Sequence, residues 1–229
     1  MKIIAFSDVH GNQYAFKSFI EEIKKIQYDY IFFCGDIHGY YYGQSEIIKQ
    51  MIQMKNLYAV KGNHDKIAIE IAEKRIQAKK YFKQYGHSYA MLDKNNIEYV
   101  KGLSDIVKLD IGQKKIAILH GTLGNVLEGR LYPTDPLQNK KLYRKYDFVF
   151  CGHTHFQMIR KYGHTMIINA GSIGQQRDGK GCCFVYVDTL TGEAEYKNIY
   201  YDRKELEAEI NKYDPENTKM INILYRGEK

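Results

Sequence analysis

Lys2-Ile3-Ile4-Ala5-Phe6-Ser7-Asp8-Val9-His10-Gly11 opens the chain with an apolar run that ends on a carboxylate, an imidazole and a glycine. The run, 2–7, is short and rich in β-branched residues, so it reads as a strand. From Asn12 onward the period changes, and Phe16, Phe19, Ile20 and Ile23 recur at the helical i, i+3, i+4, i+7 spacing. The alternation then repeats: a strand over 30–34, a helix that Ser45 can cap and that carries Ile47, Ile48, Met51 and Ile52, and a strand over 57–61. The first third is therefore a βαβαβ unit, which calls for a parallel sheet at its centre.

Working outward, the spacing predicts a helix over 67–85, then strands over 106–111 and 114–119 around Gly112-Gln113, a two-residue hairpin turn. The hairpin makes the sheet mixed. Pro133 to Pro136 marks a loop before a short helix over 137–146. Strands follow over 147–151, 157–161, 165–169, 182–187 and 195–200, and Asp202-Arg203-Lys204-Glu205 opens a final helix. βαβ layering followed by a second group of strands implies an α/β (α+β) chain of two packed mixed sheets with helices outside. At 229 residues the chain is long enough for one sizeable core and short for two, so residues 1–229 read as a single domain.

Composition narrows the class. No apolar run approaches the roughly eighteen residues of a membrane span, and Asp8 interrupts the N-terminus too early for a signal peptide, so the expected location is the cytoplasm. Four cysteines, none spaced C-x-x-C, read as free and mostly buried thiols. The net charge of +7 comes from dispersed lysines, which favours a basic solvated surface over a nucleic-acid groove while leaving a lean toward phosphate-bearing ligands.

The strand ends carry the chemistry. Asp8-Val9-His10-Gly11 follows the first strand, Gly35-Asp36 the second, and Gly62-Asn63-His64-Asp65 the third. His120-Gly121 follows the strand ending at Leu119, and Gly152-His153-Thr154-His155 the one ending at Cys151. Singly, each has a structural reading: Asp8 as a helix cap, Asp36 as a turn residue, Asn63 in a left-handed corner, His120 as a satisfied core histidine. Together, five of eight histidines placed just past strands converge in the crevice where open α/β sheets form their sites. On extended backbone, residues two apart face the same way and span about 6.6–6.8 Å, so His153 and His155 can reach two neighbouring ions.

Asp8, His10, Asp36, Asn63, His120, His153 and His155 make seven oxygen and imidazole donors without thiolate, a set suited to Mn²⁺, Fe or Zn²⁺. Seven exceed what one open catalytic site takes, so two divalent metal ions are expected, about 3.5–4 Å apart and bridged by an aspartate. Such a pair binds a phosphoryl oxygen and lowers the pKa of a shared water, which points to phosphoester hydrolysis.

D-x-H, G-D, G-N-H-D, H-G and G-H-T-H, in this order, resemble the calcineurin-like metallophosphoesterase superfamily. Asn169-Ala170-Gly171-Ser172-Ile173-Gly174-Gln175-Gln176-Arg177-Asp178-Gly179 is similar to the N-P-G-S-x-G-x-P-R-D-G stretch of its small bacterial phosphodiesterase-like branch, with Ala170 and Gln176 where prolines are common. Gly35-Asp36-Ile37-His38-Gly39-Tyr40 matches the same branch. The resemblance implies a four-layer α/β/β/α sandwich. It also implies that Asp8, His10, Asp36 and His155 hold one metal and that Asp36, Asn63, His120 and His153 hold the other. His64 would contact the phosphate and protonate the leaving oxygen, with Asp65 orienting its ring.

Several residues around these motifs keep two readings. His38 faces either substrate or solvent. Tyr40-Tyr41-Tyr42 either stacks on a nucleobase or packs as ordinary tyrosine, and Arg130 and Arg177 either contact phosphate or, for Arg177, pin the 171–174 loop. His87 and His164 read as surface residues. Three functional classes follow: a phosphodiesterase or phosphatase acting on a small phosphoester, a nuclease with the same centre, and a noncatalytic interaction scaffold. No added domain or long groove-forming insertion favours the second, and His64 argues against the third.

Overall fold

A computed structural model describes residues 1–226. Ten strands form two five-stranded mixed sheets among the described residues. The first sheet has the order β10-β9-β1-β2-β3, with β1 (Lys2–Phe6), β2 (Tyr30–Phe33), β3 (Leu57–Ala59), β9 (Cys183–Asp188) and β10 (Glu193–Asn198). The second has the order β4-β5-β6-β8-β7, with β4 (Ile106–Ile111), β5 (Lys114–Leu119), β6 (Phe148–Cys151), β7 (Gln157–Tyr162) and β8 (Thr165–Ala170). In each, three central or edge strands run parallel (β1, β2, β3 and β5, β6, β8), and antiparallel strands complete the sheet.

The period-two alternation of β1 divides the core. Ile4 and Phe6 point toward α1 (Gln13–Ile23) and α2 (Gln44–Gln53), where Phe16, Phe19, Ile47 and Met51 cover them. Ile3 and Ala5 point the other way, into a layer shared with Ile116, Ile118, Phe150 and Ile168 of the second sheet. The outer face of that second sheet, Ala117, Leu119, Val149 and Ile167, lies under Leu131, Leu137 and Tyr143. The order is thus helix, sheet, sheet, and a thin outer layer whose only helix among the described residues is the four-residue α6 (Lys140–Tyr143).

The expected 67–85 helix divides. α3 runs Asn63–Ala72 and stops where Lys74 turns left-handed (φ 60°), a conformation that ends a right-handed helix. A 3₁₀ turn and α4 (Phe82–Tyr85) follow, then a second 3₁₀ segment, Gly86–Ala90. Two further helices lie where no strong period was visible: α5 (Lys94–Gly102), capped by Asp93 and burying Ile97 and Val100, and α8 (Thr218–Leu224) after α7 (Lys204–Tyr213). Ser45 is not a cap. It lies inside α2, and its hydroxyl accepts a hydrogen bond from Asn96 Nδ2 at 2.7 Å, tying α2 to α5. The 195–200 strand shifts to Glu193–Asn198, because pairing with β9 starts at Glu193 opposite Asp188. Gly112 and Gln113 both have positive φ, 54° and 60°, as a type I′ hairpin turn requires. All four cysteines are free and buried, and no described helix is long and apolar enough to cross a membrane.

Candidate metal centre

The carboxyl ends of β1, β2 and β3 in one sheet and of β5 and β6 in the other open onto one crevice, and all seven expected donors are buried in it. Asn63 is the most exposed, at 9%. Three groups of acidic and imidazole side chains lie with their ligand atoms within 4.8 Å: Asp8, His10 and His155; His10, Asp36 and His64; and Asp8, Asp36 and His120. The first sheet supplies Asp8, His10, Asp36 and Asn63, and the second supplies His120, His153 and His155.

Tautomers follow from carbonyl partners. His10 Nδ1 lies 2.8 Å from the His38 carbonyl, and His120 Nδ1 lies 2.8 Å from the Cys34 carbonyl. His155 Nδ1 lies 2.5 Å from the Gln175 carbonyl. A carbonyl only accepts, so each ring carries its proton on Nδ1 and turns Nε2 inward, the arrangement that orients a ligating imidazole. His10 Nε2 and His155 Nε2 then face each other at 3.1 Å, two lone pairs without a proton between them. Asp8 Oδ1 is 3.1 Å from His155 Nε2 yet has no hydrogen-bond partner. Converging lone pairs around an orphaned buried carboxylate oxygen fit a divalent cation.

The second cluster is built around His120 Nε2, which lies 3.2 Å from Asp36 Oδ2, 3.0 Å from Asn63 Oδ1 and 3.2 Å from His153 Nδ1. Burial opposes charging of His120, but Asp36 and Asp8 push its pKa up to about 10. A proton therefore sits among these donors where a cation would replace it. Burial holds His153 and His155 down to about 4, so both are neutral donors at neutral pH. Burial raises the Asp36 and Asp8 carboxyls, but the imidazoles, His120 first for Asp36 and His155 for Asp8, hold both well below the usual range.

Backbone geometry departs from extended at these positions. His153 and His155 have φ of 67° and 61°, so the pair lies in a bend past β6 and not on extended backbone. Asp8 (54°), His10 (49°) and Asp36 (67°) are also left-handed. Asp and His tolerate this region better than most side chains, at a cost of about 1–3 kcal/mol each. Surrounding loops impose it. Ser172 Oγ donates to the Asp8 carbonyl at 2.7 Å, and the Ile173 and Gly174 amides donate to the Ser7 and Asp8 carbonyls. Asn169 Nδ2 bonds the Gly152 carbonyl and Thr154 Oγ1. Gln176, at a position where prolines are common in the similar stretch, bonds the Ser172 amide and Asp178 and so braces the loop by hydrogen bonds.

Asp65 does not orient His64. Its two oxygens accept from the amides of Asp36, Ile37, His38 and Gly62 and from His38 Nδ1. His64 Nδ1 instead lies 2.7 Å from the hydroxyl of Tyr89, a partner no motif pointed to. His38 is fully buried, so it does not face solvent, and its Nδ1 bonds Asp65. Tyr40 and Tyr41 are also buried, and Tyr42 bonds Asp214, so the triplet packs instead of offering a stacking face. Arg130 Nε donates to His153 Nε2 at 3.3 Å, while Arg177 bonds the Gln175 side chain and Tyr40. His87 bonds Asp214, and His164 is exposed in the β7–β8 turn.

The sequence pattern of the calcineurin-like phosphoesterase superfamily domain matches residues 1–192. The chain belongs to that superfamily. An uncharacterised protein of Methanocaldococcus jannaschii is 26% identical over 91% of each chain. A hypothetical protein from Pyrococcus horikoshii shares the fold with a TM-score of 0.83 at 20% identity, covering 100% of this chain and 99% of that one. A metallophosphoesterase from Sphaerobacter thermophilus gives 0.80 at 18% identity, covering 99% and 100%. An archaeal phosphodiesterase gives 0.56 at 20% identity over 86% and 99%. As a calcineurin-like phosphoesterase, the chain pairs a family of phosphoester hydrolases with a buried His/Asp cluster suited to divalent metal.

Proposed function

We propose that this chain is a dinuclear metal-dependent phosphoesterase that hydrolyses a small phosphodiester or phosphomonoester. Asp8, His10, Asp36 and His155 would hold one divalent ion, and Asp36, Asn63, His120 and His153 the other. The observation that carries the reading is the position of Asp36. Its Oδ1 accepts from the His64 amide at 2.8 Å, and its Oδ2 lies 3.8 Å from His10 Nε2 and 3.2 Å from His120 Nε2, between the two donor sets. When bound, the ions would supply Lewis acidity to a phosphoryl oxygen and a water of lowered pKa. His64, with its Nδ1 engaged by Tyr89, has Nε2 left to donate to an ester oxygen as charge develops there. Burial in the crevice limits water around that donor.

Purified protein supplied with Mn²⁺ is expected to hydrolyse a generic aryl phosphodiester or monoester at neutral to alkaline pH. No turnover of either across that range overturns the reading. Asp36→Asn should lower metal content at both positions. His64→Ala should keep its metal and lose turnover by about 10²–10⁴-fold, the usual weight of a positioned proton donor.

A further inference from the structure

We infer that Tyr89 is a positioning residue for His64, fixing the imidazole so that its single proton sits on Nε2 and faces the metal centre. The catalytic half of this inference rests on the phosphoesterase reading; the positioning half does not.

Four observations support it. First, the Tyr89 hydroxyl is 2.7 Å from His64 Nδ1, and the two rings lie nearly parallel, at 10° with centroids 6.3 Å apart. Second, Asp65, the neighbouring carboxylate in the same motif, is already occupied by four backbone amides and His38, and its hydrogen bonds go to these groups and not to the His64 ring. Third, Gly39, at φ 92°, is packed against the pair: a Cβ there would lie 2.5 Å from His64 Nδ1 and 3.2 Å from the Tyr89 hydroxyl. Only a glycine leaves that bond room. Fourth, Tyr89 itself is immobilised, 1% exposed and framed by the rings of Tyr81 (5.7 Å) and Tyr85 (6.3 Å).

The choice of a phenol has a chemical consequence. A carboxylate only accepts, so it would hold the ring proton on Nδ1 and favour the imidazolium. A phenol can donate, burial of Tyr89 keeps its hydroxyl protonated, and of the two acceptors in reach His64 Nδ1, at 2.7 Å, is nearer than the His64 carbonyl, at 3.4 Å. Donation to Nδ1 leaves the neutral ring with its proton on Nε2. His10 and Asp36 share a cluster with His64 in which ligand atoms lie within 4.8 Å, and with Nδ1 engaged, Nε2 is the nitrogen available to that cluster. The centre thus gains a fixed hydrogen-bond donor for a substrate oxygen without a further negative charge beside Asp8 and Asp36.

Tyr89→Phe removes the hydroxyl and keeps the ring. In the Mn²⁺-loaded protein, kcat should fall about tenfold to a hundredfold, the range for partners that orient active groups, with KM and metal content unchanged. Tyr81→Phe, a ring neighbour without a bond to His64, should leave kcat unchanged. In a His64→Ala background, Tyr89→Phe should have no further effect on kcat. In metal-free protein, long-range proton–nitrogen NMR should find His64 protonated on Nε2 alone, and Tyr89→Phe should give a mixture of tautomers. The inference is overturned if His64 in the unsubstituted protein carries its proton on Nδ1, if Tyr89→Phe leaves the tautomer unchanged, or if its kcat loss persists in full without His64. A correct tautomer result in a protein that hydrolyses no ester would sink the phosphoesterase reading and leave the positioning role standing.

Discussion

At the level of single residues, the donors were legible because each sits beside a glycine or a second donor just past an apolar run, as in Asp8-Val9-His10-Gly11 and Gly152-His153-Thr154-His155. What the spacing misread was their backbone. A strand period does not announce where the chain bends, so His153 and His155 looked extended although both are left-handed. Tyr89 and the carbonyls of Cys34, His38 and Gln175 were invisible for a different reason, since each meets its histidine only after the loops have folded. The same histidines set the pH behaviour of metal-free protein. His153 and His155, held near 4 against an ordinary 6.5, stay neutral in the folded state while the unfolded chain takes up protons, so stability rises from pH 4 to 6.5. His120, pushed up to about 10, keeps its proton when folded, so its contribution falls as pH climbs from 6.5 to 10. Thermal midpoints of chelator-treated protein should therefore peak near pH 6.5, and a flat profile across both limbs would contradict this assignment. Added Mn²⁺ should abolish the alkaline limb, because the ion replaces the His120 proton.

At the level of elements, β1, β2, β5, β6 and β8 could be read because burial on one or both faces leaves apolar runs of strand length. The segment between 73 and 93 could not be, because short 3₁₀ turns and a four-residue helix carry too few turns to show a period. That segment nevertheless delivers Tyr89. Loop contacts between the sheets are equally local in origin. Gly152 follows β6 and packs against the β1 loop, where a Cβ would lie 1.9 Å from Ser7 Oγ and 2.6 Å from Asp8 Oδ2. Such overlaps cannot be relieved without moving Asp8 or the bend that carries His153 and His155. Gly152→Ala should therefore fold with reduced metal content, measured by elemental analysis after desalting. Full metal occupancy in that variant would mean the loop relaxes without disturbing the donors.

At the level of the whole molecule, the superfamily pattern ends at residue 192, whereas α7 and α8 continue to residue 224. Leu206, Ile210, Met220 and Leu224 from these helices form one cluster with the buried Tyr40 and Tyr41. The helices therefore clamp the loop that follows Asp36, and Asp214 reinforces the clamp through Tyr42 and His87. Only the opening of α7 could be anticipated, since α8 is a seven-residue element with little periodic signal. Leu206 is fully buried, so Leu206→Ala should lower stability by about 2–5 kcal/mol in urea titration. A loss below about half a kcal/mol would show that the clamp is not coupled to the core.

The division of donors between sheets has a further implication for assembly. Neither sheet carries a complete set, because the second holds only imidazoles and the first holds both carboxylates. By the proposed assignment the first sheet alone supplies three of four donors to one ion and two of four to the other, so a partly folded chain with one sheet formed leaves both coordination shells incomplete. Metal capture would then act as a checkpoint on maturation, favouring chains whose two halves have already docked in register.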